Sequence, residues 1–128
     1  MRMWGVNPKC MCDKHLLGEH VEMHMFVGCI NKRKNIDGYL EKGLVNLGLI
    51  RKRHDELVQE MERRGMNHKS PLPNFLIESG VGFIDKKKNL ADLIGRCFRC
   101  MKKYRDAADE EFKVKEKEHS ENLSVAVL

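Results

Sequence analysis

A predicted helix near the start of the chain carries a histidine and two glutamates on one narrow face. His15, Glu19 and Glu22 fall together because a helix turns by about 100° per residue. The rest of this stretch is rich in apolar residues, which predicts a helix that is largely buried. A carboxylate in such surroundings either transfers protons as a general acid or base or pairs with a buried cation.

Three predicted helices must position these side chains. The first is expected over residues 14–31, with Asp13 as its N-cap. The second is expected over residues 47–64, where Gly65 is a natural stop. The third is expected to begin at Asn89, acting as a cap, and to continue to about residue 118.

The fold class predicted from these elements is all-α. We expect a small single domain over residues 1–128, with three main helices, a central buried helix and long loops. Residues from about 106 to 128 form an acidic tail that is expected to be partly frayed. The first helix has two apolar sectors, one formed by Leu16, Met23, Val27 and Ile30 and the other by Leu17, Val21 and Met25.

Charge is distributed unevenly along the chain. The formal net charge is +5, but residues 1–105 hold 21 Lys and Arg against 12 Asp and Glu. A basic body of this kind favours a polyanion such as nucleic acid as the partner. The sequence has no apolar stretch of the roughly 20 residues that a membrane span needs, and no apolar leader. We therefore expect a protein that is not secreted and lies in the cytoplasm or wherever the genome resides.

Cysteine and histidine pairs raise the question of metal binding. The five cysteines are an odd number, which favours free thiols over a disulfide framework. Cys97 and Cys100 form one pair and Cys10 and Cys12 another, but Cys-x-Cys is an unusual zinc spacing. His20 and His24 lack the glutamate position of the zinc proteases. We interpret the cysteines as core residues and expect no metal and no cofactor.

Two stretches carry a family resemblance. The first is Arg2 followed by the helix with His15, Glu19 and Glu22, and the second is residues 49–67, which contain Arg-Lys-Arg near the start and Arg-Arg-Gly near the end. Over about residues 1–70 the chain resembles the pyrimidine dimer DNA glycosylase family, of the phage endonuclease V type.

The resemblance implies a metal-independent DNA glycosylase with AP-lyase activity that excises damaged pyrimidines, pyrimidine dimers above all, from duplex DNA. In that family the N-terminal α-amine attacks C1′ of the damaged nucleotide, and the resulting imine permits β-elimination. α-Amines suit this task because their pKa is about 7.7–8.0, whereas the pKa of a lysine side chain is about 10.4. The position of the glutamate implies that the amine is that of Met1, which Arg2 protects from removal, and that Glu22 is the general acid/base.

The DNA contacts are implied by the same resemblance and by the basic clusters. The expected partner is damaged or modified duplex DNA, bound by a monomer. Glu19 is expected to pair structurally with a basic residue of a later helix. The residues expected to contact DNA are Arg2, His15, Arg51, Arg53, His68 and Lys69.

Two alternatives remain open. Val21 and Met25 stand where the phage enzymes have arginines, so the same chemistry could act on a different modified base. A noncatalytic basic helical DNA-binding protein would account for the charge without any chemistry. Borohydride trapping on abasic DNA separates an enzyme from a binder, because only an imine is reduced to a stable covalent adduct.

Overall fold

The computed structural model of the chain describes residues 1–78 and 80–111, which fold mainly as helices. Two short strands, β1 (Leu44–Asn46) and β2 (Gly82–Ile84), pair antiparallel with Val45 opposite Phe83. The all-α prediction is therefore confirmed, with a small β-ladder added. The helices are α1 (Asp13–Asn31), α2 (Asp37–Glu41), α3 (Ile50–Arg63), α4 (Lys86–Arg96) and α5 (residues 98–111).

The predicted helix starts are close for α1 and displaced for the later helices. Asp13 lies in the first turn of α1 and does not cap it. The predicted second helix opens with a 3-10 turn, Leu47–Leu49, before α3 begins. Helix α4 starts before Asn89, because the Asp85 side chain accepts a hydrogen bond from the Lys88 backbone N–H at 3.1 Å. The prediction that Asn89 is a cap is wrong, since Asn89 lies inside α4 and its side chain donates to the Met3 and Trp4 carbonyls.

The predicted long third helix is interrupted at Cys97. This residue is extended, with φ −124° and ψ 110°, and separates α4 from α5. No proline stands at the break. Residues 106–111 of the acidic tail are helical, whereas the predicted helix end near residue 118 and the rest of the tail lie outside the described residues.

Helix α1 buries one side and exposes another. Leu16, Met23 and Val27 are fully buried in the core, as the pattern predicts. Leu17, Val21 and Met25 are instead 41%, 53% and 49% exposed, so the expectation that both apolar sectors are buried is wrong. Helix α3 covers the inner side of α1, and among the described residues no element covers this outer sector. None of the described helices combines the length and the apolar character required to cross a membrane.

A buried ion pair joins the two long helices. The Arg53 guanidinium of α3 donates to both Glu19 carboxylate oxygens of α1, at 2.5 and 2.8 Å. It also donates to the Val6 carbonyl at 2.6 Å, which ties the N-terminal segment to the same point. Arg53 is 3% exposed and Glu19 is 1% exposed. This contact confirms the structural role expected of Glu19.

Breaking this pair should destabilise the fold strongly. Arg53→Met leaves the Glu19 carboxylate buried without its cation, which costs about 3–5 kcal/mol in such pairs. Urea denaturation of the purified variant measures the loss. The double variant Glu19→Leu/Arg53→Met removes both charges and should recover much of it. A double variant that loses at least the sum of the two single losses would contradict this account of the pair.

Candidate active site and DNA-binding surface

The N-terminal amine and the Glu22 carboxylate face each other in an open cleft. The Met1 nitrogen lies 4.0 Å from Oε1 of Glu22. The Glu22 side chain is 29% exposed, so a substrate can reach it. The cleft has a volume of about 360 Å³ and is lined by Met1, Arg2, Trp4, Lys14, His15, Gly18, Glu19, Glu22 and Leu44. The structure thus brings together the two groups that the sequence identified as catalytic.

Backbone hydrogen bonds hold the N-terminal segment in the cleft wall. The Met3 N–H donates to the Leu44 carbonyl at 2.6 Å. The Asn89 carboxamide of α4 donates to the Trp4 carbonyl at 2.9 Å and to the Met3 carbonyl at 3.3 Å. Gly5 turns the chain at φ +69°, where a Cβ would lie 2.5 Å from Ile84 Cδ1. Sequence reasoning missed Asn89, because no local pattern links it to a segment 85 residues away.

Arg2 is fixed against the same wall. Its guanidinium carbon lies 3.8 Å from the Trp4 ring centroid, and Nη2 donates to Asn89 Oδ1 at 2.5 Å. Burial and the nearby Arg96 lower the Arg2 pKa from its usual value. Trp4 itself is 7% exposed, so it belongs to the core. The DNA contact expected of Arg2 remains a prediction.

His15 lies between the cleft and a group of cysteines. Burial and the positive charge of Lys14 lower its pKa, which favours the neutral imidazole. Its ring meets the Trp4 ring edge-on, with centroids 6.2 Å apart. Its Nδ1 atom lies 3.2 Å from Cys12 Sγ and 3.5 Å from Cys100 Sγ. No local pattern in the sequence indicates these sulfur neighbours.

The remaining predicted DNA contacts differ in accessibility. Lys69 is exposed, as is Arg51, which donates to the Pro73 carbonyl at 3.1 Å. Arg53 is buried and its guanidinium is engaged with Glu19 and Val6, so the prediction that it binds DNA is wrong. His68 is half-buried, and its Nε2 atom faces other histidines within the protein.

Two groups of side chains among the described residues have the composition of metal sites, although no metal was expected from the sequence. Within each group the ligand atoms all lie within 4.8 Å of one another. Burial and the neighbouring imidazoles lower the pKa of His20 to about 4. All five cysteines are free thiols. The groups are Cys12, His15, Cys97 and Cys100, and His20, His24, His54 and His68.

Comparison with known proteins gives one match. A family model described as pyrimidine dimer DNA glycosylase matches residues 1–74, more than half of the 128 residues. Neither the curated proteins nor the solved structures contain a match to the chain. The matched part includes α1, α3 and both the Met1 amine and the Glu22 carboxylate of the cleft. The chain therefore belongs to the pyrimidine dimer DNA glycosylase family of DNA repair proteins.

Proposed function

We propose that this glycosylase is bifunctional: it excises pyrimidine dimers from duplex DNA and then cuts the strand through an imine on its own N-terminal amine. The observation that carries the proposal is the Met1 nitrogen, 4.0 Å from the Glu22 carboxylate in an open cleft. At that separation the two groups can contact neighbouring atoms of one deoxyribose.

The proposed reaction needs only these two groups and water. The Met1 nitrogen forms a bond to C1′ as the bond from C1′ to the base breaks. The nitrogen passes one proton to the displaced base, Glu22 donates a proton to the ring oxygen, and the sugar opens to leave a protonated imine. The Glu22 carboxylate then takes a proton from C2′, and the C3′–O bond breaks to release the 3′ phosphate. Water hydrolyses the imine and restores the amine.

Exposed basic side chains support binding to the DNA backbone. Contacts from such side chains to phosphates position a duplex without reading its sequence. We propose that a monomer binds duplex DNA in this way, with Arg2 and His15 at the reacting sugar. The exposed basic residues include Lys32, Arg33, Lys34, Arg51, Lys52, Lys69, Lys86, Lys87, Lys88 and Arg96.

A second candidate target, a modified base other than a pyrimidine dimer, is favoured by the surface beside Glu22. Val21 and Met25 flank it on α1 and are 53% and 49% exposed. The phage enzymes that the chain resembles have arginines at these positions. An apolar surface cannot donate hydrogen bonds to phosphates or to base oxygens, which favours a different damaged base for the same chemistry.

Blocking the N-terminal amine should abolish the chemistry. One residue added before Met1 moves the amine by about 3.8 Å, whereas attack requires an approach of about 3–3.5 Å. Mass spectrometry should show Met1 retained and unmodified in the native protein. Borohydride trapping on abasic DNA should then fail for the extended variant and succeed for a matched variant extended after Leu128.

Full-rate trapping by the extended variant would contradict the amine mechanism. Lys14, which lines the cleft, would then be the next nucleophile to test. Lys9 lines a different cavity, with Tyr104, so Lys9→Ala is a control that should leave trapping unchanged.

Glu22→Gln should remove base release and retain DNA binding. The amide keeps the size of the side chain but cannot transfer the proton, which is worth about 10²–10⁴-fold in rate. Single-turnover cleavage and fluorescence anisotropy measure the two properties separately. Glu62→Gln, an exposed change on α3, is the matched control and should leave both unchanged. If anisotropy shows a loss of binding as large as the loss of cleavage, Glu22 has a structural role instead.

Restoring charge beside Glu22 should change the choice of lesion. Val21→Arg/Met25→Arg adds two hydrogen-bond donors that are worth about 1.5–3 kcal/mol each when they meet a charged or polar group. If one of the two meets the lesion, we expect cleavage at a pyrimidine dimer to rise by at least about tenfold relative to cleavage at other modified pyrimidines. Leu17→Arg, an exposed position one turn earlier, serves as the charge control. An unchanged preference would show that this surface does not contact the lesion.

A further inference from the structure

We propose that the protein binds two structural zinc ions, independently of the reaction proposed above. One lies at the thiolate site, formed by Cys12, His15, Cys97 and Cys100, and the other at the histidine site, formed by His20, His24, His54 and His68.

The measured separations between ligand atoms of the thiolate site are close to the edges of a zinc tetrahedron. Cys12 Sγ and Cys97 Sγ are 3.9 Å apart, and His15 Nδ1 lies 3.2 Å from Cys12 Sγ. Zinc bonds of about 2.3 Å to sulfur and about 2.0–2.1 Å to nitrogen give tetrahedral edges of about 3.8 Å between sulfurs and about 3.5 Å between sulfur and nitrogen. The sulfurs are too far apart for a disulfide, which needs about 2.05 Å.

The backbone around these cysteines is shaped to present them. Cys97 is extended between two helices, which lets its sulfur and that of Cys100 point to one centre. The Cys100 N–H donates to Cys97 Sγ at 3.4 Å, and the Cys12 N–H donates to Cys100 Sγ at 3.3 Å. Such N–H donors stabilise thiolates. The two pairs, Cys-x-x-His and Cys-x-x-Cys, also have the spacing of structural zinc ligands.

The histidine site is carried by a different observation, four converging and unpartnered nitrogens. The Nε2 atoms of His20, His24, His54 and His68 are all buried and have no hydrogen-bond partner among the described residues. His20 and His54 are only 7% and 4% exposed. A buried polar atom without a partner costs about 1–3 kcal/mol, so four at one point call for a shared ligand. A metal ion accepts all four lone pairs at once.

Two of the histidine rings have a hydrogen-bond partner on the nitrogen that points away from the cluster, as metal-bound histidines usually do. His54 Nδ1 lies 3.1 Å from Asp55 Oδ1, and His24 hydrogen-bonds to the backbone of Ser70. A partner on Nδ1 fixes the ring and leaves the Nε2 lone pair free for a metal. The ring centroid of His20 lies 4.8 Å from that of His24 and 4.9 Å from those of both His54 and His68. Imidazole ligands in a tetrahedral arrangement suit zinc.

Both ions would support the fold and take no part in the chemistry. Each has four protein ligands, so neither has an open position for substrate or water. The thiolate site joins the start of α1 to the α4–α5 junction, and the histidine site joins α1, α3 and the loop after α3. His15 Nδ1 on the metal would leave the Nε2–H as a hydrogen-bond donor.

Metal content of the full-length protein tests the proposal. Protein produced with zinc in the medium and dialysed against metal-free buffer should retain two zinc ions per chain by plasma mass spectrometry and native mass spectrometry. Cys97→Ser/Cys100→Ser should retain one, and His24→Asn/His68→Asn should also retain one. Cys10→Ser is the matched control, a buried cysteine outside both sites that should leave two.

Cobalt distinguishes the two sites. Cobalt-substituted wild type should show thiolate-to-metal charge-transfer absorption, which the cysteine variant loses and the histidine variant keeps. If a variant fails to fold, zinc X-ray absorption of the wild type still decides, because the two sites together supply three sulfur and five nitrogen ligands.

Each outcome bears on one site or on both. Dialysed wild type without zinc would overturn both sites. If the dialysed wild type retains a single zinc with sulfur ligands, the histidine site is overturned. If it retains a single zinc with nitrogen ligands alone, the thiolate site is overturned. Loss of metal from Cys10→Ser would overturn the assignment of the thiolate ligands.

Discussion

The buried contact between Arg53 and Glu19 fixes the relation of the three parts on which the cleft depends. One guanidinium reaches α1 through Glu19 and the N-terminal segment through the Val6 carbonyl, while its own backbone belongs to α3. Charges removed from water must meet their partners with good geometry, so the helices cannot slide without a large energetic cost. Glu22 lies one turn beyond Glu19 on the same helix. Its distance from the Met1 amine is therefore set largely by this ion pair.

Helix α1 serves different purposes on its different sides. Glu19 and Glu22 face the cleft, while Leu16 and Met23 fill the core. His20 and His24 face α3 and the loop beyond it, where His54 and His68 meet them. The sector formed by Leu17, Val21 and Met25 faces outward and is about half exposed. This division explains why the helix has polar groups on several sides and yet packs as the centre of the domain.

The sequence predicted what depends on local pattern. The periodicity of α1 and α3, the pairing of Glu19 with a basic residue and the closeness of Met1 to Glu22 all follow from helical spacing and the family resemblance. It did not distinguish the buried Arg53 from the exposed Arg51, because an Arg-Lys-Arg run does not state which residue faces the neighbouring helix.

Local patterns could not predict which residues from distant parts of the chain lie together. Cys12 and Cys97 are 85 residues apart, and only the fold brings them together. The sequence does contain a spacing typical of metal ligands near Cys12. It links Cys12 to His15, with two residues between them, and not to Cys10. Likewise His20 and His24 are spaced for a common ligand, yet their partners come from another helix and a loop that no periodicity connects to them.

The Asn89 carboxamide has a consequence for how activity and stability are related. It holds the Trp4 and Met3 carbonyls from α4, an element outside residues 1–74 of the family match. Proteins open locally in cooperative units before they unfold globally. An opening that detaches α4 removes the Asn89 contacts and leaves the N-terminal segment held only by its contacts with Leu44 and Arg53. The Met1 amine is thus positioned partly by an element outside the one that carries Glu22, so the local stability of α4, and not only the global stability, affects how long the amine stays beside the carboxylate.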